Sequence, residues 1–367
     1  MLQIEKTHQR KTIPPANTLK TGHHFTDHML TIPWILDGGW GTPKIQPYGP
    51  LSFEPSCSVF HYAHCLFEGL KAYRRADGRV TMFRPGMHMT RMNASAARIT
   101  LPTFDGDELL KLIMELVRID QAWIPQPTGQ GLYIRPVLIG TQTKIGPWPP
   151  DAALLYVMCS PAGPYSSHPV ALQATTGFTR ASVGGTGDFK VGANYALGLL
   201  PQKQAASLGY DQILWLHGPE HYLTEAGTMN LFVVLKNATG ALELVTPPLD
   251  GMILPGITRD SVLTIAREHV SGVRPLPKLP RKLTVTERPI TMKEFQNAAE
   301  SGSLLEMFGT GTAVVVSPVN RIGYMGKDIH IPGEADGMGP VSRPLWGELI
   351  GRQTGVMPCK WSIEVST

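Results

Sequence analysis

The 367-residue sequence has only four cysteines, Cys57, Cys65, Cys159 and Cys359, with no CxxC pair and no zinc-ligand spacing. That scarcity excludes a disulfide framework and fits a reducing compartment. Charged residues make up 17% of the chain, the net charge is +4, and no long run of like charge occurs, so nucleic-acid binding has little support. No stretch approaches the apolar length of a membrane span. The N-terminal segment MLQIEKTHQRKTIPPANTLK lacks the apolar core of a secretory signal. It is basic but short, carries Glu5 and soon meets Pro14-Pro15, so a cytoplasmic location is expected over a mitochondrial one. Histidines gather in HYAHC (His61, His64, with Cys65) and in GHHFTDH (His23, His24, His28). Three ligands on one short segment, without a partner cluster, rarely hold zinc, and no metal is expected.

What the chain does have is 42% hydrophobic residues, enough for two domains with real cores. FTDHMLTIPWI, RVTMF, GLYIRPVLIGT and ALLYVMCS read as strands. GMHMTRMNASAARI has helical spacing, with Met87, Thr90, Met92 and Ala96 near one face. GDELLKLIMELVRI is an amphipathic helix with Asp107 and Glu108 in its first turn, as the helix dipole prefers. PAGPYSSHPV, residues 161–170, collects three prolines, a glycine and two serines and reads as an interdomain linker. The expected organisation is a small α/β domain over 1–160 and a large C-terminal domain over 171–367. In the second, DQILWL and TMNLFVVL alternate with ALGLLPQKQAASLG and ITRDSVLTIAREHV. That mixture predicts two α/β or α+β domains with a ligand in the crevice between them. The proline-rich RPLPKLPRK, 274–282, reads as a surface connection.

One lysine stands out. Lys190 lies in VGGTGDFKVGANYALG, between two glycine-rich steps, a setting that a lysine serving only solubility does not need. Tyr195 follows five residues later at the start of a helical stretch, and Glu225 sits in a Gly/Thr turn before an apolar strand. LPGITRDSV places Pro and Gly just ahead of a helix whose N-terminal N–H groups suit an anion. FGTGTAVVV is a second Gly/Thr turn, and Arg91 on the GMHMTRM helix is a third anion candidate. No nucleotide-binding glycine motif occurs. Taken singly these features are ordinary structural ones; taken together they point to pyridoxal phosphate. In that reading the lysine holds the aldehyde, the glutamate holds the ring nitrogen, and helix N-termini with an arginine hold the phosphate.

The blocks FTDHML, LFEGLKAYR, LYIRPVLIGT, GDFKVGANY, LTEAGTMNLFVV, ELVTPPLDGMILPGITR and GTGTAVVVSPV occur in that order over nearly the whole chain. In these blocks the sequence resembles the branched-chain amino-acid aminotransferases, two-domain α/β (α+β) pyridoxal-phosphate enzymes of fold type IV with the cofactor in the interdomain crevice. The resemblance implies that Lys190 is the Schiff-base lysine and general base. Tyr195 would bond the cofactor's phenolic oxygen, and Glu225 would face the pyridine nitrogen. Arg91, the backbone of Ile257 and Thr258, and Thr312 would bind the phosphate. Phe67, Tyr133, Tyr165, Thr228 and Ala313 would line the substrate pocket, and Tyr62 would reach the site of a partner in a homodimer. Arg135 in YIRP would pair with the second carboxylate of glutamate or 2-oxoglutarate. The implied reaction moves the amino group of L-leucine, L-isoleucine or L-valine to 2-oxoglutarate by a ping-pong cycle. Sister enzymes of the same fold (D-amino-acid aminotransferases, (R)-amine transaminases, aminodeoxychorismate lyases) share the cofactor residues, but Arg135 and the EAGTMN turn favour the branched-chain group. The redox CxxC of some members is absent, with Val314 and Ser317 at the matching positions. A non-catalytic scaffold is disfavoured by the joint presence of Lys190, Tyr195, Glu225 and Arg91.

Overall fold

A computed structural model of the chain describes residues 1–126, 130–163 and 168–365. It divides into two compact units. The first comprises Met1–Tyr165, Phe189–Ala193 and Gly351–Thr367; the second comprises Ser166–Asp188 and Asn194–Ile350. This division is not the linear one expected from composition. The short segment bearing Lys190 groups with the first unit, and so does the C-terminal stretch. The central residues of the expected linker lie outside the described residues.

In the first unit, strands β1 (His28–Ile35), β2 (Cys65–Phe67), β3 (Leu70–Arg74), β4 (Val80–Phe83), β5 (Gly131–Gly140) and β6 (Ala152–Ala162) form an antiparallel sheet. Its central order is β1-β6-β5-β3-β4, with β2 also paired to β5. Two helices, α1 (Pro85–Arg98) and α2 (Gly106–Ile119), join its core. Asp105 caps α2, its carboxylate accepting from the N–H groups of Asp107 and Glu108 at 2.9 and 3.0 Å. This is the start signal legible in GDELL. Helix α1 buries only half of the expected face, Met92 and Ala96. His88, Met89, Met92, Ser95 and Ala96 are buried, whereas Met87 and Thr90 are exposed.

Strand periodicity then sorts the site residues. Leu70, Ala72, Leu132, Ile134, Leu155 and Val157 enter the core with Met92, Ile113 and Leu116 of the helices. Successive side chains on a strand alternate between faces, so Lys71, Tyr133, Arg135 and Tyr156 stand on the face opposite that core.

The second unit holds β7 (Val170–Thr175), β8 (Gln212–His217), β9 (Tyr222–Ala226), β10 (Met229–Lys236), β11 (Leu242–Thr246), β12 (Leu283–Glu287), β13 (Leu304–Gly311) and β14 (Val315–Tyr324). Their order is β9-β8-β7-β14-β13-β10-β11-β12, and β9 pairs with β10 as well. Six of these strands therefore close into a circuit, which leaves none of the six as a free edge. The β7–β8, β7–β14 and β11–β12 pairs are parallel and the others antiparallel, so the unit is a mixed α/β architecture. Helix α3 (Ile257–Val270) begins where Pro255 and Gly256 end the preceding loop, and α4 (Met292–Glu300) is capped by Thr291.

Candidate active site

Lys190 is held in place by its backbone before its side chain is considered. Its carbonyl accepts the Phe67 N–H at 3.1 Å, Gly192 N–H donates to the Cys65 carbonyl at 2.9 Å, and Leu66 bridges Val191. The lysine segment is thus stitched to β2. A Cβ on Gly192 would lie 2.4 Å from Cys65 Sγ, so the glycine after the lysine is required by close approach. From α1, Ser95 Oγ accepts the Lys190 N–H at 2.9 Å.

Around the amine, Lys190 Nζ lies 4.8 Å from the Phe67 ring centroid. The Arg135 guanidinium stacks on the same ring at 4.6 Å and on the Tyr133 ring at 5.1 Å. Arg135 Nη2 donates to the Tyr133 hydroxyl at 2.9 Å, while its buried Nε has no hydrogen-bond partner among the described residues. Burial, with the Arg91 charge adding to it, pushes the Lys190 ammonium down to about 8. Glu68 and Tyr133 act in the opposite direction. The structure therefore brings together Lys190, Arg91, Phe67, Tyr133 and Arg135. Tyr62 ends the short helix Ser58–Tyr62 and is 40% exposed, beside an exposed Phe60.

Sequence reasoning missed what holds Arg91. Its Nε and Nη2 donate to the two oxygens of Glu68 at 2.6 and 2.9 Å. Glu68 is fully buried and also accepts from Gly69 N–H at 3.0 Å and bonds His88 Nδ1 at 2.8 Å. Burial alone would raise the Glu68 carboxyl; the Arg91 charge and these hydrogen bonds hold it well below the usual carboxylate range. The available signal was a lone glutamate in the otherwise apolar run CLFEGL.

In the second unit, Glu225 lies within β9 rather than in a turn, and it is buried. One oxygen is paired with Arg180 Nε at 2.6 Å; the other accepts from Asn230 Nδ2 at 2.9 Å and from Leu254 N–H at 3.3 Å. Arg180 in turn donates to the carbonyls of Met252 and Gly187 at 2.8 and 3.2 Å. Arg180 and Asn230 were not foreseen; an isolated arginine in GFTRAS carries no local signal. Tyr195, Glu225 and Thr228 line one cavity of about 360 Å³ with Arg180, Trp215 and Leu254. Ile257 and Thr258 form the first turn of α3, where no side chain caps the helix, so amide donors are presented at its N-terminus. Thr312 and Ala313 lie in the turn between β13 and β14, half-buried and exposed respectively. Neither lines that cavity. Tyr165 lies outside the described residues.

The profile of the class IV amino-transferases matches residues 65–322. The cytosolic branched-chain-amino-acid aminotransferase of Saccharomyces cerevisiae is 50% identical over 361 residues, covering 96% of this chain and 93% of that protein. The mitochondrial enzyme of the same yeast is 54% identical over 322 residues, covering 87% and 80%. Among solved structures, a T.th. branched-chain amino acid aminotransferase complexed with N-(5'-phosphopyridoxyl)-L-glutamate superposes with a TM-score of 0.69 at 25% identity. That match covers 95% of this chain and all of the other. The fold type IV architecture and the transaminase activity follow: this chain belongs to the class IV aminotransferases, and within them to the branched-chain-amino-acid aminotransferases.

Proposed function

We propose that the chain transfers the amino group of L-leucine, L-isoleucine or L-valine to 2-oxoglutarate, reversibly and by a ping-pong cycle with pyridoxal phosphate. The observation that carries this reading is the setting of Lys190. A lysine near 8 has an appreciable unprotonated fraction at neutral pH, and it sits against an aromatic ring and an arginine with an unpartnered buried nitrogen.

The residues present fit the cofactor. There is a depressed lysine for an aldehyde, a buried and charge-paired carboxylate for a ring nitrogen, and an arginine plus an uncapped helix start for a phosphate. The phosphopyridoxyl ligand of the T.th. enzyme supports the same choice. Pyridoxal phosphate, when bound, supplies an aldehyde for the amino group and a protonated ring that takes up the electron pair released at the substrate α-carbon. We assign Lys190 to hold that aldehyde and to move the substrate α-proton. Tyr195 would bond the phenolic oxygen, and Glu225, paired with Arg180, would face the ring nitrogen and favour its protonated form. Arg91, the amides of Ile257 and Thr258, and Thr312 would bind the phosphate.

Phe67 and Tyr133 offer apolar surface to a branched side chain, and we assign Thr228 and Ala313 to the substrate as well. Arg135 takes the distal carboxylate of glutamate or 2-oxoglutarate through the edge that carries its unpartnered Nε. One pocket then serves both halves of the cycle. We infer a homodimer in which Tyr62 reaches the partner's site, supported by the exposure of Phe60 and Tyr62, and a cytosolic location, as for the cytosolic yeast relative. Steady-state kinetics with L-leucine and 2-oxoglutarate test the reading. Parallel double-reciprocal lines are expected, as is loss of turnover in Lys190→Ala. Intersecting lines contradict the ping-pong cycle, and an active Lys190→Ala removes the lysine from the chemistry.

A further inference from the structure

Helix α1 carries His88, Arg91 and Ser95 at a spacing of three and then four residues, which sets them on one helical face. Each makes a directed contact. His88 bonds Glu68, Arg91 pairs with both Glu68 oxygens, and Ser95 accepts the Lys190 N–H. His88 and Ser95 are at most 2% exposed, and Glu68 is fully buried. A polar face this well buried is unusual unless its groups are needed where they are.

The Glu68 carboxylate receives donors from Gly69, His88 and Arg91, so its plane is fixed on more than one side. A fixed carboxylate fixes the guanidinium that pairs with it, because the two-point contact permits one orientation. Burial pushes the His88 imidazolium down, so the ring is neutral near pH 7 and its Nδ1–H donates to the carboxylate. On the same face, Ser95 ties the backbone of Lys190 to the helix. The arginine and the lysine are thereby set at one separation by one helix. Pyridoxal phosphate carries its aldehyde and its phosphate arm on adjacent ring carbons, so the two anchors must lie within reach of one ring.

We propose that His88 and Glu68 are positioning residues for cofactor binding: they aim Arg91 at the phosphate while Ser95 holds the lysine backbone in register with it. This rests on the assignment of Arg91 to the phosphate. His88 touches neither cofactor nor substrate and acts through Glu68.

Dissociation constants of pyridoxal phosphate and of pyridoxal, which lacks the phosphate, measured on the purified full-length protein by absorbance titration, test the proposal. In His88→Leu, pyridoxal phosphate is expected to bind about tenfold more weakly, the scale of one hydrogen bond to a charged group, with pyridoxal unchanged. His88→Asn, whose amide can donate to Glu68, should restore most of the loss. If His88→Leu does not fold, Glu68→Gln answers the same question through the difference between the ligands: Glu68 also acts on the Lys190 ammonium, so both affinities shift, and pyridoxal phosphate is expected to lose more than pyridoxal. An Arg91→Met protein that binds pyridoxal phosphate normally overturns the phosphate assignment itself. If Arg91→Met loses affinity but neither His88→Leu nor Glu68→Gln does, the positioning role alone is refuted. Equal weakening of both ligands in the His88 and Glu68 variants also refutes it, because the effect is then general to the site.

Discussion

Gly69 lies one residue from Glu68 and directly beneath Tyr133. A Cβ at position 69 would stand 2.0 Å from the Tyr133 hydroxyl oxygen, 2.7 Å from Cζ and 3.3 Å from Cε2. In Gly69→Ala the tyrosine must therefore retreat by more than about 1 Å to reach ordinary contact. That hydroxyl is the acceptor for Arg135 Nη2 at 2.9 Å, and Arg135 is stacked on Phe67, so the arginine is not free to follow without losing that stack. Two costs follow. Overpacking costs about 1–3 kcal/mol of stability. Loss of a hydrogen bond to a charged group is worth about 1.5–3 kcal/mol, which lowers kcat/KM by about tenfold or more where Arg135 is used. The proposed reaction makes unequal use of it: 2-oxoglutarate would present a second carboxylate to Arg135, and leucine has none to present. We expect kcat/KM for 2-oxoglutarate to fall about tenfold or more, that for L-leucine to fall by less, and the melting temperature to drop by several degrees. Half-reaction kinetics with each substrate and thermal unfolding measure these separately. An unchanged kcat/KM for 2-oxoglutarate refutes the coupling of Gly69, Tyr133 and Arg135.

Arg135→Leu should raise KM for 2-oxoglutarate by about tenfold or more while leaving the L-leucine half-reaction within a few-fold; an equal effect on both substrates contradicts the carboxylate role. Asp105→Ala should cost about 1 kcal/mol in denaturant unfolding with activity unchanged, because it removes only the cap of α2. Burial also pushes the Lys71 ammonium down to about 7. Its folded pKa is below its unfolded one, so the unfolded chain binds the extra proton between about pH 7 and 10, and this lysine destabilises the fold below that window. In the cofactor-free protein Lys71→Met should therefore be more stable than the parent at about pH 6.5, with the advantage shrinking as pH rises toward 10. A pH-independent difference in urea midpoints contradicts the assignment.

The sequence made some elements legible because their causes are local. Asp105 and the acidic pair behind it mark the start of α2, and Pro255-Gly256 mark the start of α3, whose span Ile257–Val270 coincides with the expected ITRDSVLTIAREHV. Lys190, Arg91, Phe67, Tyr133 and Arg135 were named from the sequence and lie in one unit around the lysine. The failures share a cause: partners distant in the chain. On α1, Met92 and Ala96 are buried as their spacing suggests, but Met87 is exposed and Glu68 draws in His88, twenty residues away. The Lys190 segment groups with the first unit because it pairs with Cys65 and Phe67, more than a hundred residues earlier. Arg180 reaches Glu225 across forty-five residues, and nothing near either announces the pair.

The most direct test of the central claim is an absorbance spectrum of the purified protein with pyridoxal phosphate, before and after L-leucine is added without an acceptor. A yellow protein whose colour bleaches as the branched-chain 2-oxo acid is released, and whose Lys190→Ala variant shows neither change, is the predicted result. A protein that stays yellow with L-leucine but bleaches with a D-amino acid or an (R)-amine contradicts the substrate assignment, and one that takes up no pyridoxal phosphate contradicts the role of Lys190.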